Sequence, residues 1–517
     1  MITEPRLAPN WSIERIVPGS PFHTANGIAF GPDGRLFVAS VVGEAIFALD
    51  LETKAVEEVE PGPVGEADDL VFTPAGDMIW TALLEGKVRM RRRDGTLVDL
   101  AEGLPGANSI ALTRDGTRLF MGQVFMGEGL WEIDLAGIAP PRLVAGDTGG
   151  LNAFQFGADG MIYAPSWERG QLVRVDPETG KTEVLVEGLQ HPGAVRFDAE
   201  ERLYVLDDAS GELFVVAESA GFWTRRLITQ LATSTDNFMF GPDGRAYVSN
   251  MADNAIHAVD VTSGAVEPIV VGVLGLPRGI ALSSDGTLLH IADGCAYRTL
   301  DLASGFVRDL ARAVASPLKF PAAVDAFRDR VLLVGELFGV VQQFDAAGRH
   351  LGDLTGFDMP SAAIALEDGG IVVAEAIAGR IVYVRDAKRR TLVDGLDRPV
   401  ALARLSTDTV VVAETGGRLS CVNTADGSCR ELGRISGQIR AVAVAQDGAL
   451  IVLDVEHRRI VIMDPLSGIQ TTVGEDLPVG HLMTPFPRSG GIVAAPGGVI
   501  YLAADLDNSI LRLSPAP

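Results

Sequence analysis

Six residues, Asn26, Asp68, Asn108, Asn152, Gly193 and Asp236, stand about 40 residues apart, and each opens a copy of one short phrase. The copies read NGIAFGPDGRLFVA, DDLVFTPAGDMIWTA, NSIALTRDGTRLFMG, NAFQFGADGMIYAP, GAVRFDAEERLYVL and DNFMFGPDGRAYVS. Five of the six openings carry a carboxylate or an amide. If the copies are arranged around one axis, two carboxylates and three amides converge there, where they repel or pair poorly unless something cationic lies between them. Hard oxygen donors of this kind suit Ca²⁺, with Mg²⁺ and Mn²⁺ as competitors and Zn²⁺ behind them because His is absent from the ring. The other reading is a hydrogen-bonded polar plug or a column of water.

The second half of the chain repeats the phrase without the donors. RGIALSSDGTLLHIA opens on Arg278, and weaker copies begin near Ala322, Ala362, Val400, Arg440 and Gly490. Asn and Asp favour the turn before a strand for purely local reasons. That account predicts them equally in both halves, so their confinement to the first half is the functional signal.

The repeat also specifies the elements that must position these side chains. In the first copy, residues 27–30, 36–40, 45–49 and 56–59 alternate apolar and polar and are separated by turns such as GPDG and LETK. Period-2 hydrophobicity bounded by Gly, Asp and Pro reads as four short antiparallel strands, and such a unit repeated radially is a propeller blade. In that arrangement the loop entering each innermost strand and the loop between the second and third strands open on one face around the axis. Residues 12–17 (SIERIV) resemble an outer strand that precedes its own blade, and the last copy stops after a third strand. Residues 265–271 (AVEPIVV) are suited to the same leading role for a second ring. The expectation is all-β: two tandem six-bladed β-propellers, each closed by a leading outer strand pairing with its last blade. Residues 1–263 form the metal-binding, catalytic propeller; residues 264–517 form a structural or docking propeller without channel ligands. A single twelve-bladed ring would leave too wide a central hole, while a split of seven and five is the remaining alternative.

Over residues 14–262 the ordered phrases resemble the gluconolactonase, senescence-marker-protein and paraoxonase superfamily of calcium-dependent six-bladed propellers. GEADDLVFTPAG around Asp68 and Asp69 is similar to the acidic-pair phrase of paraoxonases, NSIALTRDG and NAFQFGADG to the asparagine phrases, and TDNFMFGPDG to the Asp-Asn phrase. The resemblance implies that Asp68, Asn108, Asn152 and Asp236 hold a catalytic divalent cation, with Asn26 as a further ligand or a substrate contact. It implies that Asp236 is the base or nucleophile, and that Asp69 and Asn237 point away from the primary ligands and support a second, structural ion. Two departures stand out: the first family ligand is usually Glu, where this chain has Asp68, and the paraoxonase histidine pair has no match. His23, three residues before Asn26, and His191, two before Gly193, are the candidate catalytic histidines, or else ordinary loop residues.

The loops after the second strands offer Leu83, Phe125, Met126, Trp167, Asp207 and Asn250 as pocket wall. Phe125, Met126 and Trp167 favour a partly apolar substrate over a bare sugar acid, with Asn250 as a polar contact. The expected activity is metal-dependent hydrolysis of a lactone or related ester. The alternatives are a lyase or isomerase on the same ring, or a propeller scaffold that only binds, because fold alone does not choose between them.

Bulk properties narrow the partners. The net charge of −25, from 68 acidic and 43 basic residues, opposes binding to nucleic acid or to an anionic membrane. The basic runs 91–93 and 388–390 sit beside turns and read as solvated hairpin loops. A hydrophobic content of 47% fits a folded chain. The start, MITEPRLAPNWSIERIV, lacks the basic-then-apolar pattern of a signal peptide, and no apolar run is long enough to span a bilayer, so the expected location is the cytoplasm. Three cysteines make neither a disulfide framework nor a zinc knuckle. Cys421 and Cys429 flank the turn TADG and are expected as free thiols facing each other across a hairpin, and Cys295 has no base beside it. No G-x-S-x-G elbow, Walker loop or dinucleotide fingerprint occurs in a strand-to-helix context, and GVLGLPRG near Gly272 lies between strands.

Overall fold

The computed structural model describes residues 4–481 and 490–516. Among these the chain is all-β and propeller-like, with two short 3-10 turns and no α-helix. Among the described residues no helix is long and apolar enough to cross a membrane. The described strands form twelve sheets, eleven four-stranded and one five-stranded, and most are built from four consecutive strands in up-and-down order. The GPDG turns work as their composition predicts. Gly34 adopts φ +82°, a conformation that L side chains rarely take, while Asp33 Oδ1 accepts from the backbone N–H of Arg35 at 3.1 Å.

The chain divides into two compact units, Phe22–Gly272 and Met1–Pro21 with Val273–Pro517. The first is inserted, in sequence, into the second; we call them the inserted and the flanking unit. This differs from the expected boundary at 263–264, and strand pairing supplies the reason. The strand Val266–Val270 does not lead a second ring; it pairs with Ala255–Val259 and completes the sixth sheet of the inserted unit. The leading strand Trp11–Val17 pairs with Ser509–Pro515, so it closes the last sheet of the flanking unit rather than that of the first ring. Arg6–Leu7 adds a fifth strand beside Gln470–Glu475. The preference is set by packing: Trp11 and Ile13 lie against the core containing Leu511 and Leu513, and Val17 packs with Ile510.

In the inserted unit the first strands of the six sheets begin at Ile28, Leu70, Ala107, Gln155, Pro192 and Thr235. They neighbour one another in that order, and the sixth meets the first. Phe22, Ile28, Val38 and Phe47 share one core with Tyr247 and Ile256, so the first sheet packs on the sixth. Each such buried side chain contributes about 1.5–3 kcal/mol. The six sheets of the flanking unit follow the same cyclic order, where Val17, Ile280 and Ile291 pack with Tyr501 and Ile510.

Each crossing between the units is tied within its own unit. Asn254 Nδ2 donates to the carbonyl of Phe22, and the N–H of Gly272 donates to the carbonyl of Asn254 at 3.2 Å. In the flanking unit Ser20 Oγ accepts from the N–H groups of Val273 and Leu274, at 3.0 and 3.3 Å.

The cysteines are free, as expected, but do not face each other. Cys421 pairs with Arg430 and Val422 with Cys429, which puts the two thiols on opposite faces of the hairpin.

Deleting residues 1–17 is expected to speed amide exchange in the strands Gln470–Glu475 and Ser509–Pro515 while leaving residues 28–270 protected. Hydrogen exchange read by mass spectrometry checks this. Faster exchange at residues 266–270 instead would show that the leading strand serves the inserted unit.

Candidate functional site

Irregular pairing turns the opening residues of the inserted unit out of their sheets. The register slips between Ala107 and Ser109, between Pro192 and Ala194, and between Thr235 and Phe238, so Asn108, Gly193 and the pair Asp236-Asn237 lie at bulges. A bulge re-aims a side chain that a regular ladder would hold across the sheet. Asn26 and Asp68 lie two residues before their strands begin, held by bonds from their N–H groups to Ala39 O at 2.9 Å and Thr81 O at 3.0 Å. Gly27 permits the first two sheets to close on each other: a Cβ there would lie 2.4 Å from Asp68 O and 2.7 Å from Asp69 Oδ1.

The donors fall into two tiers, because consecutive side chains at a bulge diverge. In the first tier Asn26 Nδ2 donates to Asp236 Oδ1 at 3.2 Å, and Asn26 Oδ1 accepts from the N–H of Val41 at 3.1 Å. Asn108 is buried, and its Oδ1 has no hydrogen-bond partner. Asn152 is half-buried, with Oδ1 accepting from the N–H of Ala153 at 2.9 Å. In the second tier Asn237 Nδ2 donates to Asp69 Oδ1 at 3.2 Å, and the N–H of Ile110 reaches Asp69 Oδ2 at 3.3 Å.

Where the resemblance implies a second ion at Asp69 and Asn237, the protein has placed its own cation. Arg196 is buried; one guanidinium nitrogen donates to Asn237 Oδ1 at 2.8 Å, and the other to the carbonyls of Ala153 at 3.0 Å, Phe154 at 3.3 Å and Val195 at 2.8 Å. Burial pushes the Asp69 carboxyl up to about 6, while the Arg196 charge and the hydrogen bonds from Ile110, Leu70 and Asn237 hold it down against that push. The second tier is thus a network that joins arginine, amide and carboxylate through Asn237, with the buried Arg196 Nε left without a hydrogen-bond partner.

Among the described residues no arginine or lysine is bonded to the side chains of the first tier. Burial, then the charges of Asp236, Asp69 and Glu66, lifts Asp68 well above the usual carboxylate range. Burial raises Asp236 to about 7, against the hydrogen bond from Asn26 and with the Asp69 charge. Glu66 is raised by burial to about 8, with Leu84 N–H on Oε1 at 3.2 Å and no hydrogen-bond partner on Oε2. Asp208 is likewise held well above the ordinary range, by burial and then by the charges of Asp236, Asp207 and Asp68.

Asp208, Glu66 and Arg196 did not emerge from the spacing of the phrases. Arg196 carried a signal, as the one charged residue inside an otherwise apolar strand phrase, GAVRF. Asp208 carried another, as a second carboxylate beside Asp207 in the copy that opens on Gly193.

The wall residues divide. Trp167 and His191 stack with ring centroids 4.1 Å apart, and Phe125 meets Trp167 edge-on at 5.1 Å. His191 Nδ1 lies 3.4 Å from the Trp167 carbonyl, which makes this histidine part of an aromatic wall. Phe125, at φ +68°, is 50% exposed and Met126 is 47% exposed. Asn250 is not available as a substrate contact: it is buried, Nδ2 donates to Ala232 O at 3.1 Å and Thr233 O at 3.0 Å, and Oδ1 accepts from the N–H of Asp253 at 2.9 Å. Asp207 braces its loop in the same way, accepting from Gln190 N–H at 2.7 Å, and Leu83 is buried. His23 is half-buried with its carbonyl accepting from Ser40 Oγ.

The axis of the flanking unit has a different chemistry. Arg278 pairs with Glu336 at 2.7 Å, and Arg440 with Asp505 at 3.4 Å and with the carbonyl of His481 at 2.8 Å. The third opening is Ser361 rather than Ala362, because the bulge falls between Pro360 and Ala362. A cavity of about 70 Å³ is lined by residues including Ile280, Val324, Ile364, Leu402 and Val442, with Arg440.

Among the described residues no three His, Cys, Asp or Glu side chains are gathered as a metal cluster. The ring mixes amides with carboxylates, and the latter come from different sheets. Its fit to a cation rests on donor chemistry: a buried, unpartnered amide oxygen at Asn108 and buried carboxylates without a paired cation. No family model matches the chain, and no curated protein matches it. Among solved structures it is similar to an X-ray structure provisionally described as a gluconolactonase, at 17% identity and a TM-score of 0.38, over 52% of this chain and 95% of that one.

Two outcomes follow. The raised carboxyl groups hold protons in the fold that the unfolded chain has released. Cation-free protein is therefore most stable below about pH 4 to 5 as far as these groups decide, and loses that stability as pH rises through about 7 to 8. Thermal unfolding in chelator from pH 5 to 8.5 should show the loss; added calcium should reduce it at the high end, and Asp68→Asn with Asp236→Asn should shrink it, leaving the part due to Glu66 and Asp208. Separately, Arg196→Ala leaves Asp69 buried without its compensating charge and should cost about 3–5 kcal/mol by urea denaturation. Arg196→Ala with Asp69→Asn should recover part of that loss.

Proposed function

We propose that each unit is a six-bladed β-propeller, and that the inserted one is a divalent-cation-dependent hydrolase of a lactone or related ester. The observations that support this reading are the Asn26–Asp236 bond, the buried Asp68 carboxyl raised by the Asp236 charge, and the buried Asn108 amide oxygen without a partner. Asp68, Asn108, Asn152 and Asp236 would hold the ion, with Asn26 beside them. A bound divalent cation supplies stabilisation of the negative charge that grows on a carbonyl oxygen as the ester is attacked.

The chain's own groups do the rest. Asn26 Nδ2 fixes Asp236 through Oδ1 and orients the carboxylate, leaving its second oxygen to take a proton from water or to attack the carbonyl carbon directly. The Trp167–His191 stack, with Phe125 against it, offers a flat apolar face to the acyl or ring portion of the substrate. On this reading His191 is a wall residue, and proton transfer falls to Asp236. The flanking propeller, with arginine–acid pairs on its axis, serves as a structural or docking partner.

Elemental mass spectrometry on protein purified without added metal should find about one divalent ion per chain, lost in Asp68→Ala with Asp236→Ala. Against a panel of lactones and esters with aromatic or alkyl substituents, Asp236→Asn should lower kcat by roughly 10²–10⁴, and Trp167→Ala should act mainly on KM. An ion retained with no turnover on any panel member would replace the hydrolase by a binding scaffold.

A further inference from the structure

On the axis of the flanking unit the arginines and acids match in number, but the arginine donors are not all used. Arg278 reaches Glu336 through Nη2 alone, and both Arg278 Nε and Glu336 Oε1 are buried without a hydrogen-bond partner. Arg440 is 6% exposed, and both bonds from its guanidinium to described residues leave from Nη1, at 2.8 Å to His481 O and 3.4 Å to Asp505 Oδ2. The other side of that fork, Nε and Nη2, is unused. Burial holds the Arg440 guanidinium below its ordinary value despite the Asp505 charge; the charge of Arg278 adds to that push and Glu336 opposes it. The acid partners therefore do not fully offset the cost of burying this cation.

The axial cavity of about 70 Å³ lies against the same residue. It is lined from all six first strands of the unit, by residues such as Ile280 and Val442, and Arg440 is the only charged side chain among its described lining residues. Neither Glu336 nor Asp505 lines it. Each first strand is the end strand of its sheet, hydrogen-bonded to one neighbour only. Alternate residues of such a strand turn their N–H and C=O groups away from that neighbour. The cavity thus offers a guanidinium and backbone amides as donors, and none of its described side chains accepts from them. A guanidinium together with converging backbone N–H groups is the donor set of an anion site.

The geometry points to a binding site in this cavity for a small monovalent anion of chloride size, held by Arg440 and by backbone amides of the first strands. At roughly 30 Å³ per water molecule, the space admits about two waters, or one such ion with a water. It is too small for a phosphate ester or a sugar acid. The site is independent of the cation reading of the inserted unit. An ion seated there would touch several first strands at once, and by binding only the closed flanking unit would stabilise it by mass action.

Bromide takes the place of chloride and scatters X-rays anomalously, which distinguishes it from water. Crystals of the full chain grown without halide and soaked in sodium bromide should show an anomalous peak in the cavity, within hydrogen-bond distance of Arg440. Water alone in the cavity would overturn the assignment, and this result decides even if no variant folds. In solution, chloride line broadening by NMR should titrate with the full chain. Arg440→Met, shown by circular dichroism to fold, should weaken that binding by about tenfold or more. Arg440→Lys keeps the charge without the fork and should fall between the two. A folded Arg440→Met that binds chloride as tightly as the wild type would overturn the role of Arg440. A bromide peak with no titratable broadening in solution would show an adventitious ion only, and would overturn the site as well.

Discussion

The inserted unit depends on how it compensates for buried like charge. A carboxylate taken out of water costs several kcal/mol unless it is paired or protonated. Asp68, Asp69 and Asp208 are buried, and Asp236 beside them is half-buried. The only buried arginine bonded within this group, among the described residues, is Arg196, and its hydrogen bonds commit it to the tier of Asp69 and Asn237. Of the remaining three, Asp236 and Asp208 accept from the neutral side chains of Asn26 and Thr235. Their raised proton affinities are the consequence, and a bound divalent cation is the simplest charge that would reverse them.

The flanking unit meets the same geometric demand with different residues. The acids that end its second strands include Asp293, Glu375, Glu414 and Asp454, and each pairs with an arginine four or five positions later in its own sheet. Glu336 and Asp505 have no such arginine, and these two receive the axial Arg278 and Arg440. The axis is thereby neutralised by side chains of the protein, with aliphatic residues behind them. Two units built from one kind of repeat thus differ in whether arginines of the chain or raised proton affinities offset the buried acids.

The strands and their grouping in fours were legible because alternation and xDG turns are local signals, and local signals repeat with the unit. The opening residues were legible for the same reason, since each stands at a fixed offset from its strand. Pairing between distant segments was not. Residues 12–17 and 265–271 are both short alternating edge strands, and nothing within either states which sheet it completes; the cores containing Leu511 and Leu513, and Tyr247 and Ile256, decide that. Asp208 was missed because its carboxylate reaches the opening from another strand, so a reading by phrase position sees only Gly193. Asn250 was misjudged because a loop amide looks equally suited to substrate and to backbone, and only the three bonds it makes show which one holds it.

The site and the closure of the inserted unit are one problem. All six of its sheets are built from strands contiguous in sequence, so no strand borrowed from elsewhere staples the sixth sheet to the first. The seam is held by apolar packing of Phe22 and Phe47 against Tyr247 and Ile256, by Asn254 holding Phe22, and by the Asn26–Asp236 bond, which crosses from the first sheet to the sixth. Asn237 likewise reaches from the sixth sheet to Asp69 on the second. A ligand gripped by this rim would join sheets across the seam as well as serving chemistry, and whatever binds only the closed unit stabilises it by mass action. The flanking unit has the strand Trp11–Val17 for that purpose and can afford an axis of internal ion pairs. The inserted unit has no such strand, which gives a physical reason for concentrating unsatisfied oxygen donors at its rim.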